Sequence, residues 1–237
     1  MLAALLFLVT AHVAALPNGS SVLSPRQVLP TTCKDVHLFL ARGAGDPYPG
    51  TQGPLVDVVC EGLVSCDHED VLYVGTFDRV CDSVTTGVVN ATRQITEYAQ
   101  KCPDSKLVLC GHSEGAAVIL NTIGGGGSTC PGGTMPESSP IDPTTAPGSH
   151  VVAVAITGDM RHTAGQTYNV GTGAAKSGIW PRSQAELSGL TAWEHHMRSW
   201  CDDADPVCAG GNSVAAHGAY MDRKKEIAAW IREMLGV

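Results

Sequence analysis

Gly111-His112-Ser113-Glu114-Gly115 places a serine between two glycines, each two positions away. An apolar run, Leu107-Val108-Leu109-Cys110, leads in, and a helix-forming run, Ala116-Ala117-Val118-Ile119-Leu120, leads out. The order reads strand, sharp turn, helix. Such a turn needs glycine on both sides because Cβ atoms would collide with the neighbouring strand and helix. It pushes the Ser113 hydroxyl above the sheet edge at a helix N-terminus, where free backbone N–H groups can meet a developing oxyanion. That is the chemistry of acyl transfer. The plainer alternative is a small-residue turn that only packs a helix on a strand.

A serine hydroxyl is a poor nucleophile unless a histidine takes its proton, and the histidine needs a carboxylate to hold its tautomer. In hydrolases built on such a turn the chain order is Ser, acid, His. Nine histidines are present. His12 falls in an N-terminal apolar segment, and those after the last strands are His150, His162, His195, His196 and His217. His217 stands out, in the small-residue turn Val214-Ala215-Ala216-His217-Gly218-Ala219-Tyr220 before a final helix. Twelve residues upstream lies Asp205, within Cys201-Asp202-Asp203-Ala204-Asp205-Pro206-Val207-Cys208. Cysteines seven apart can close a small ring that fixes the acid. The alternative is a solvated acidic loop. His195 and His196 beside Glu194 lack a second ligand cluster with metal-binding spacing, so no metal is expected there.

The elements that must position these residues follow from periodicity. Val36 to Leu40 reads as a buried strand, residues 55–63 as a helix and residues 71–74 as a short strand. Residues 83–101 carry Val84, Val88, Ala91, Ile95, Tyr98 and Ala99 at helical spacing. Residues 124–149, rich in Gly, Pro, Ser and Thr, read as one long surface loop. Residues 151–157 and 197–200 read as strands, residues 158–191 as irregular, and 220–235 as an amphipathic helix. Strands alternating with helices imply an α/β fold, a mostly parallel sheet covered on both faces.

The chain has 237 residues, 43% hydrophobic and 16% charged, which suits one domain with a sizeable core. A net charge of −8 without a basic cluster argues against nucleic acid and anionic membrane surfaces. Residues 1–15 are apolar and end in Val13-Ala14-Ala15, like a cleaved secretory signal peptide, though no positive residue precedes the apolar run. Residues 16–32 read as a disordered lead or pro-segment, leaving 33–237 as the folded domain. No membrane association is expected after cleavage. Nine cysteines in an exported chain imply disulfides with one left over, and Cys110 in the strand before the serine is the candidate free thiol. Asn18-Gly19-Ser20 and Asn90-Ala91-Thr92 are glycosylation sequons.

Together these motifs resemble the fungal cutinase and acetylxylan esterase family. The resemblance runs from Cys33 to the C-terminus, through Phe39-Leu40-Ala41-Arg42-Gly43, Cys102-Pro103-Asp104-Ser105-Lys106, the Ser113 turn, the Asp205 loop and Ala216-His217-Gly218-Ala219-Tyr220. It implies a small lidless α/β-hydrolase, open to solvent, monomeric and without cofactor, acting on esters of plant cell-wall polymers. It implies Ser113 as nucleophile, His217 as base and acid, and Asp205 as the residue that orients it. It also implies an oxyanion hole from the N–H groups of Ala44 and Glu114, and disulfides Cys33–Cys102 and Cys201–Cys208. Cys60–Cys66 and Cys81–Cys130 complete the expected set.

Two positions depart from the family pattern. Ala44 stands where relatives carry Ser or Thr, so a hydroxyl donor to the oxyanion is lost, a change that elsewhere costs about 10²–10³ in turnover. Glu114 stands where relatives carry Gln, so its carboxyl is expected either to point away from the oxyanion or to favour mildly acidic pH. The stretch Ala209 to Ala216 is small and polar, and Asn169-Val170-Gly171-Thr172-Gly173, Ile179-Trp180-Pro181-Arg182 and Asp205-Pro206 resemble the acetylxylan esterase branch. Deacetylation of xylan is therefore expected ahead of cutin or short-chain ester hydrolysis. An inactive polysaccharide-binding relative is the rival of another class, and Gly171-Thr172-Gly173-Ala174-Ala175-Lys176-Ser177 resembles a phosphate loop but lacks Gly before the Lys.

Overall fold

Side chains along the central strands alternate between two apolar layers. The elements run β1 (Val36–Ala41), α1 (Gly53–Cys60), β2 (Cys66–Asp70), α2 (Val80–Lys101), β3 (Lys106–His112), α3 (Glu114–Gly124), β4 (Thr129–Cys130), β5 (Gly133–Thr134), β6 (Val151–Thr157), β7 (Asn169–Val170), α4 (Gln184–Ser188), β8 (Met197–Trp200), α5 (Val214–Gly218) and α6 (Lys224–Leu235). Phe39, Leu107, Leu109, Val154 and Ile156 join the core that α2 and α3 complete. Leu38, Leu40, Val108, Cys110, Ala153 and Ala155 face the opposite core, closed by α1 and α6. The period of two is what a strand covered on both faces requires. The structure, a computed structural model, describes residues 32–127 and 129–237. The expected signal segment, the lead except Thr32, and the Asn18 sequon lie outside the described residues.

Six strands form one sheet in the order β2-β1-β3-β6-β8-β7, and every pairing in it is parallel. The fold is therefore the expected α/β layer arrangement. Because all strands run the same way, the C-terminal ends of β3, β6 and β8 share one edge, and Ser113 follows β3 at that edge.

Three elements differ from the periodicity reading. The strand beside β1 is Cys66–Asp70, not residues 71–74. Its sequence, Cys66-Asp67-His68-Glu69-Asp70, is charged because it is the sheet edge, where charge discourages further strand pairing. Val71 and Tyr73 are buried, but as packing beneath α2. The long loop contains the small β4–β5 hairpin and buries Cys130, Met135 and Ile141. The irregular stretch holds β7 and α4, whose Ser183 cap and Glu186 form a capping box.

All four expected disulfides are present: Cys33–Cys102, Cys60–Cys66, Cys81–Cys130 and Cys201–Cys208. Cys110 is free and buried, and burial pushes its thiol up to about 12, so it remains an uncharged small hydrophobe. Among the described residues, no helix is long and apolar enough to cross a membrane.

Candidate active site

Ser113 sits at φ 55° and ψ −117°, and among the described residues no other non-glycine has positive φ. The surroundings enforce this conformation. A Cβ at Gly115 would lie 1.9 Å from the Ala41 carbonyl oxygen, and one at Gly111 would lie 2.6 Å from the Gly115 carbonyl oxygen. The turn therefore packs backbone against backbone, and the strain is held by β1, β3 and the fully buried α3. The Ser113 N–H donates to the Thr157 carbonyl at 3.0 Å, pinning the turn to the end of β6.

His217 and Asp205 reach this serine. His217 Nε2 lies 2.9 Å from Ser113 Oγ, and His217 Nδ1 lies 2.8 Å from Asp205 Oδ2. The histidine is carried on α5, whose Ser213 cap accepts from the Ala216 N–H. Gly158, at φ +57°, leaves room for the ring, since a Cβ there would sit 2.9 Å from His217 Cε1. Asp205 is fully buried inside the Cys201–Cys208 ring. Its Oδ1 accepts from the Val207 N–H at 2.7 Å and the Cys208 N–H at 3.3 Å. Burial alone would raise this carboxyl, but bonds from His217 and Tyr220, the His217 charge and the Val207 N–H outweigh it and hold it below the usual carboxylate range.

The other candidates lie elsewhere. His150 precedes β6, at the opposite end of the sheet from Ser113. His162 is buried against the Ser199 hydroxyl. His195 and His196 end the short 3₁₀ turn Thr191–His196. Asp202 pairs with Arg223 at 2.7 Å, and Asp203 accepts from the Thr172 hydroxyl. The phosphate-loop-like stretch lies against this acid loop, where the Gly173 N–H donates to the Cys201 carbonyl at 2.8 Å. Among the described residues, no group of three or more His, Cys, Asp or Glu side chains could hold a metal ion.

Sequence reasoning missed two neighbours of the relay. Tyr220, quoted only as the end of the histidine motif, donates its hydroxyl to Asp205 Oδ2 at 2.7 Å and accepts from the Asp202 N–H. His112, inside the serine motif, lies with its ring 4.8 Å from that of His217, and its Nδ1 meets the Thr157 hydroxyl at 3.1 Å. Burial and the adjacent His217 push His112 down to about 4, so it presents no second positive charge to its neighbour at neutral pH. No sequence signal separates either residue from ordinary core aromatics.

The Ala44 and Glu114 N–H groups are not donated to any protein acceptor among the described residues. Glu114 is the first residue of α3, and its N–H is one of the groups a helix leaves unpaired. Ala44 lies in the turn after β1, which is tied down by Gly45 N–H to Gly75 O at 2.9 Å and Gly43 N–H to Asp46 Oδ2 at 3.2 Å. Of the two expectations for the Glu114 carboxyl, the structure shows the first. It turns into the interior, towards Ser83, Arg42 and Thr76.

A hydroxyl, an imidazole and a buried carboxylate in line at one sheet edge can activate an oxygen for attack on an acyl carbon. The comparisons agree with that chemistry. A model of the family described as Cutinase matches residues 32–235. The chain belongs to the cutinase family. The acetylxylan esterase of Hypocrea jecorina is 30% identical over 216 residues, covering 87% of this chain and 68% of that protein. Cutinase 11 of Verticillium dahliae is 28% identical, covering 80% of this chain and 64% of that one. The solved catalytic core domain of acetyl xylan esterase from Trichoderma reesei superimposes with a TM-score of 0.75 at 28% identity, covering 86% of this chain and 100% of that one. This cutinase-family member is a carboxylic ester hydrolase.

Proposed function

We propose that this esterase is secreted and works through Ser113, His217 and Asp205, with acetyl groups on xylan as its substrate. The observation that carries the reading is the unbroken line Ser113 Oγ, His217 Nε2, His217 Nδ1, Asp205 Oδ2, with contacts of 2.9 and 2.8 Å. Ser113 Oγ attacks the ester carbonyl as His217 Nε2 takes its proton. The carbonyl oxygen becomes an oxyanion between the Ala44 and Glu114 N–H groups. The tetrahedral centre collapses, the C–O bond to the sugar breaks, and His217 returns the proton to the leaving alcohol. Water then attacks the acyl-serine with His217 again as base, releasing acetate and free Ser113.

Similarity to acetylxylan esterase in both sequence and structure supports the acetyl assignment, and four disulfides support an oxidising compartment. A second reading, longer acyl chains, has its own observation. Val214 on α5 beside His217, Ile179 against the acid loop, and Val74 and Phe77 beside the Ala44 turn are exposed. Chain length is worth about 1–3 kcal/mol per methylene in such contacts. Rates on p-nitrophenyl acetate, butyrate and palmitate, measured beside acetate release from acetylated xylan, decide between them. Rates rising from acetate to palmitate, with no acetate released from xylan, would refute the acetylxylan assignment.

A further inference from the structure

The Glu114 carboxyl is a buried acid for which the mechanism has no use. It is 1% exposed, and among the described residues neither oxygen has a hydrogen bond of good geometry, although Ser83 and the Thr76 backbone lie close enough to favour its ionised form. A buried polar group without a good partner costs stability, so its presence calls for an explanation. The groups facing it come from three elements. Arg42 lies after β1, Tyr73 and the Thr76 backbone lie between β2 and α2, and Ser83 lies on α2. The Ser83 oxygen already accepts from the Gly75 N–H at 2.8 Å, which leaves its own proton to donate. Arg42 spends its guanidinium on carbonyls: Tyr73 O at 2.9 Å, Val74 O at 2.6 Å and Gly43 O at 3.3 Å. Among the described residues it has no ion-pair partner.

These contacts lead to both oxyanion donors. One is the backbone N–H of Glu114 itself. The other, on Ala44, lies in a turn held by Gly75 and Arg42, and both of these are tied to the groups around the Glu114 carboxyl. We infer that Glu114 is a positioning residue that makes the oxyanion hole pH-dependent, strong while its carboxyl is protonated and weakened once it ionises. The inference rests on the proposed roles of Ser113, Ala44 and Glu114.

Electrostatics gives the direction. Asp46 already places one carboxylate in the Ala44 turn, where it accepts from the Gly43 N–H. Ionised Glu114 adds a second carboxylate, on the residue that itself bears one of the donors and in a water-poor interior where its repulsion of the oxyanion is weakly screened. It also competes for Ser83 and Arg42, which bond Gly75 and Gly43 and so hold the Ala44 turn. Burial pushes this carboxyl up to about 7, against the opposing pull of Ser83, Arg42 and Thr76. The change falls within the working range of an esterase.

The test compares kcat and KM of wild type and Glu114→Gln between pH 5.5 and 9. The probe is a soluble acetate ester of a non-ionising alcohol, followed by acetate release. The readout is the ratio of kcat at pH 8.5 to that at pH 6 within each enzyme, so a change in absolute rate does not matter. We expect this ratio to be at least about threefold higher in Glu114→Gln, with the change in kcat rather than KM. Ser83→Ala, which removes a donor to the ionised form, moves the descending limb of the wild-type profile to higher pH. Coincident ratios overturn the inference, as does an unmoved limb in Ser83→Ala if the Gln variant does not fold. Labelling of Ser113 by an organophosphate at pH 6 separates the failures. Without labelling or hydrolysis the esterase mechanism itself falls, whereas with both intact only the role of Glu114 does.

Discussion

The Tyr220 hydroxyl donates to the same carboxylate oxygen, Oδ2 of Asp205, that holds His217. That oxygen therefore carries two bonds, and Oδ1 carries two more from the Val207 and Cys208 N–H groups. The acid is fixed from four directions, so its geometry is set before substrate arrives. The same hydroxyl accepts from the Asp202 N–H, so Tyr220 also ties the start of the acid loop to the histidine segment.

Tyr220→Phe removes this tie and leaves the Asp202 N–H without its acceptor. A hydrogen bond to a charged group is worth about 1.5–3 kcal/mol. Three bonds to the carboxylate survive, so we expect kcat to fall about tenfold with KM nearly unchanged. Steady-state kinetics on a soluble acetate ester read this directly. An unchanged kcat would show that the phenol only fills space.

If Ser113, His217 and Asp205 form the proposed relay they act as one unit, and their effects must not add. Ser113→Ala and His217→Ala should each lower kcat by about 10⁴ or more, and the double variant should be no worse than either alone. Single-turnover rates on p-nitrophenyl acetate, with acyl-enzyme trapping in wild type, check this. A double variant whose loss is the product of the single losses would contradict a shared proton relay.

Much of this arrangement was legible in the sequence, and the reason is local. Gly111 and Gly115 announce the turn because a Cβ at either would fall 2.6 or 1.9 Å from a backbone oxygen. The cysteines spaced seven apart announce the Asp205 loop. The strand Cys66–Asp70 was hidden because an edge strand rich in charge has no apolar period to detect. The Asp205 contact of Tyr220 and the ring contact of His112 were hidden for another reason. The His112 contacts depend on how α5 and the end of β6 meet β3, across 45 residues or more, and the Tyr220 bond depends on how the segment after α5 folds back on the acid loop 15 residues earlier; no short pattern encodes either.

Two disulfides should separate stability from activity. Cys33–Cys102 closes a separation of 69 residues and lies at the far end of the sheet from Ser113, before β1 and β3. Cys201–Cys208 closes only seven, around Asp205. Chain-entropy arguments assign about 4 kcal/mol to the long loop and about 2.5 kcal/mol to the short one. Cys33→Ser with Cys102→Ser should lower the melting temperature more, yet leave kcat within about twofold at a temperature where the protein is folded. Cys201→Ser with Cys208→Ser should cost less stability and more kcat, because the carboxylate loses its frame. Thermal melts paired with initial rates test the crossing, and parallel losses in both variants would refute it.

The Glu114 carboxyl also sets a pH dependence of stability. Its folded value is raised from 4.5 to about 7, so between those values the folded state holds a proton that the unfolded chain has released. The stability associated with that proton is fully present below about 4.5 and is lost as pH rises through about 7. The loss is roughly 3 kcal/mol, since each tenfold difference in proton affinity between the folded and unfolded chain corresponds to about 1.4 kcal/mol. In Glu114→Gln nothing ionises at this position, so its stability relative to wild type should rise from about pH 5 to about pH 7 and level off towards pH 8. Urea unfolding of both proteins across that range gives the difference directly. A constant difference would mean that the carboxyl finds a partner when ionised and is not the strained group its surroundings describe.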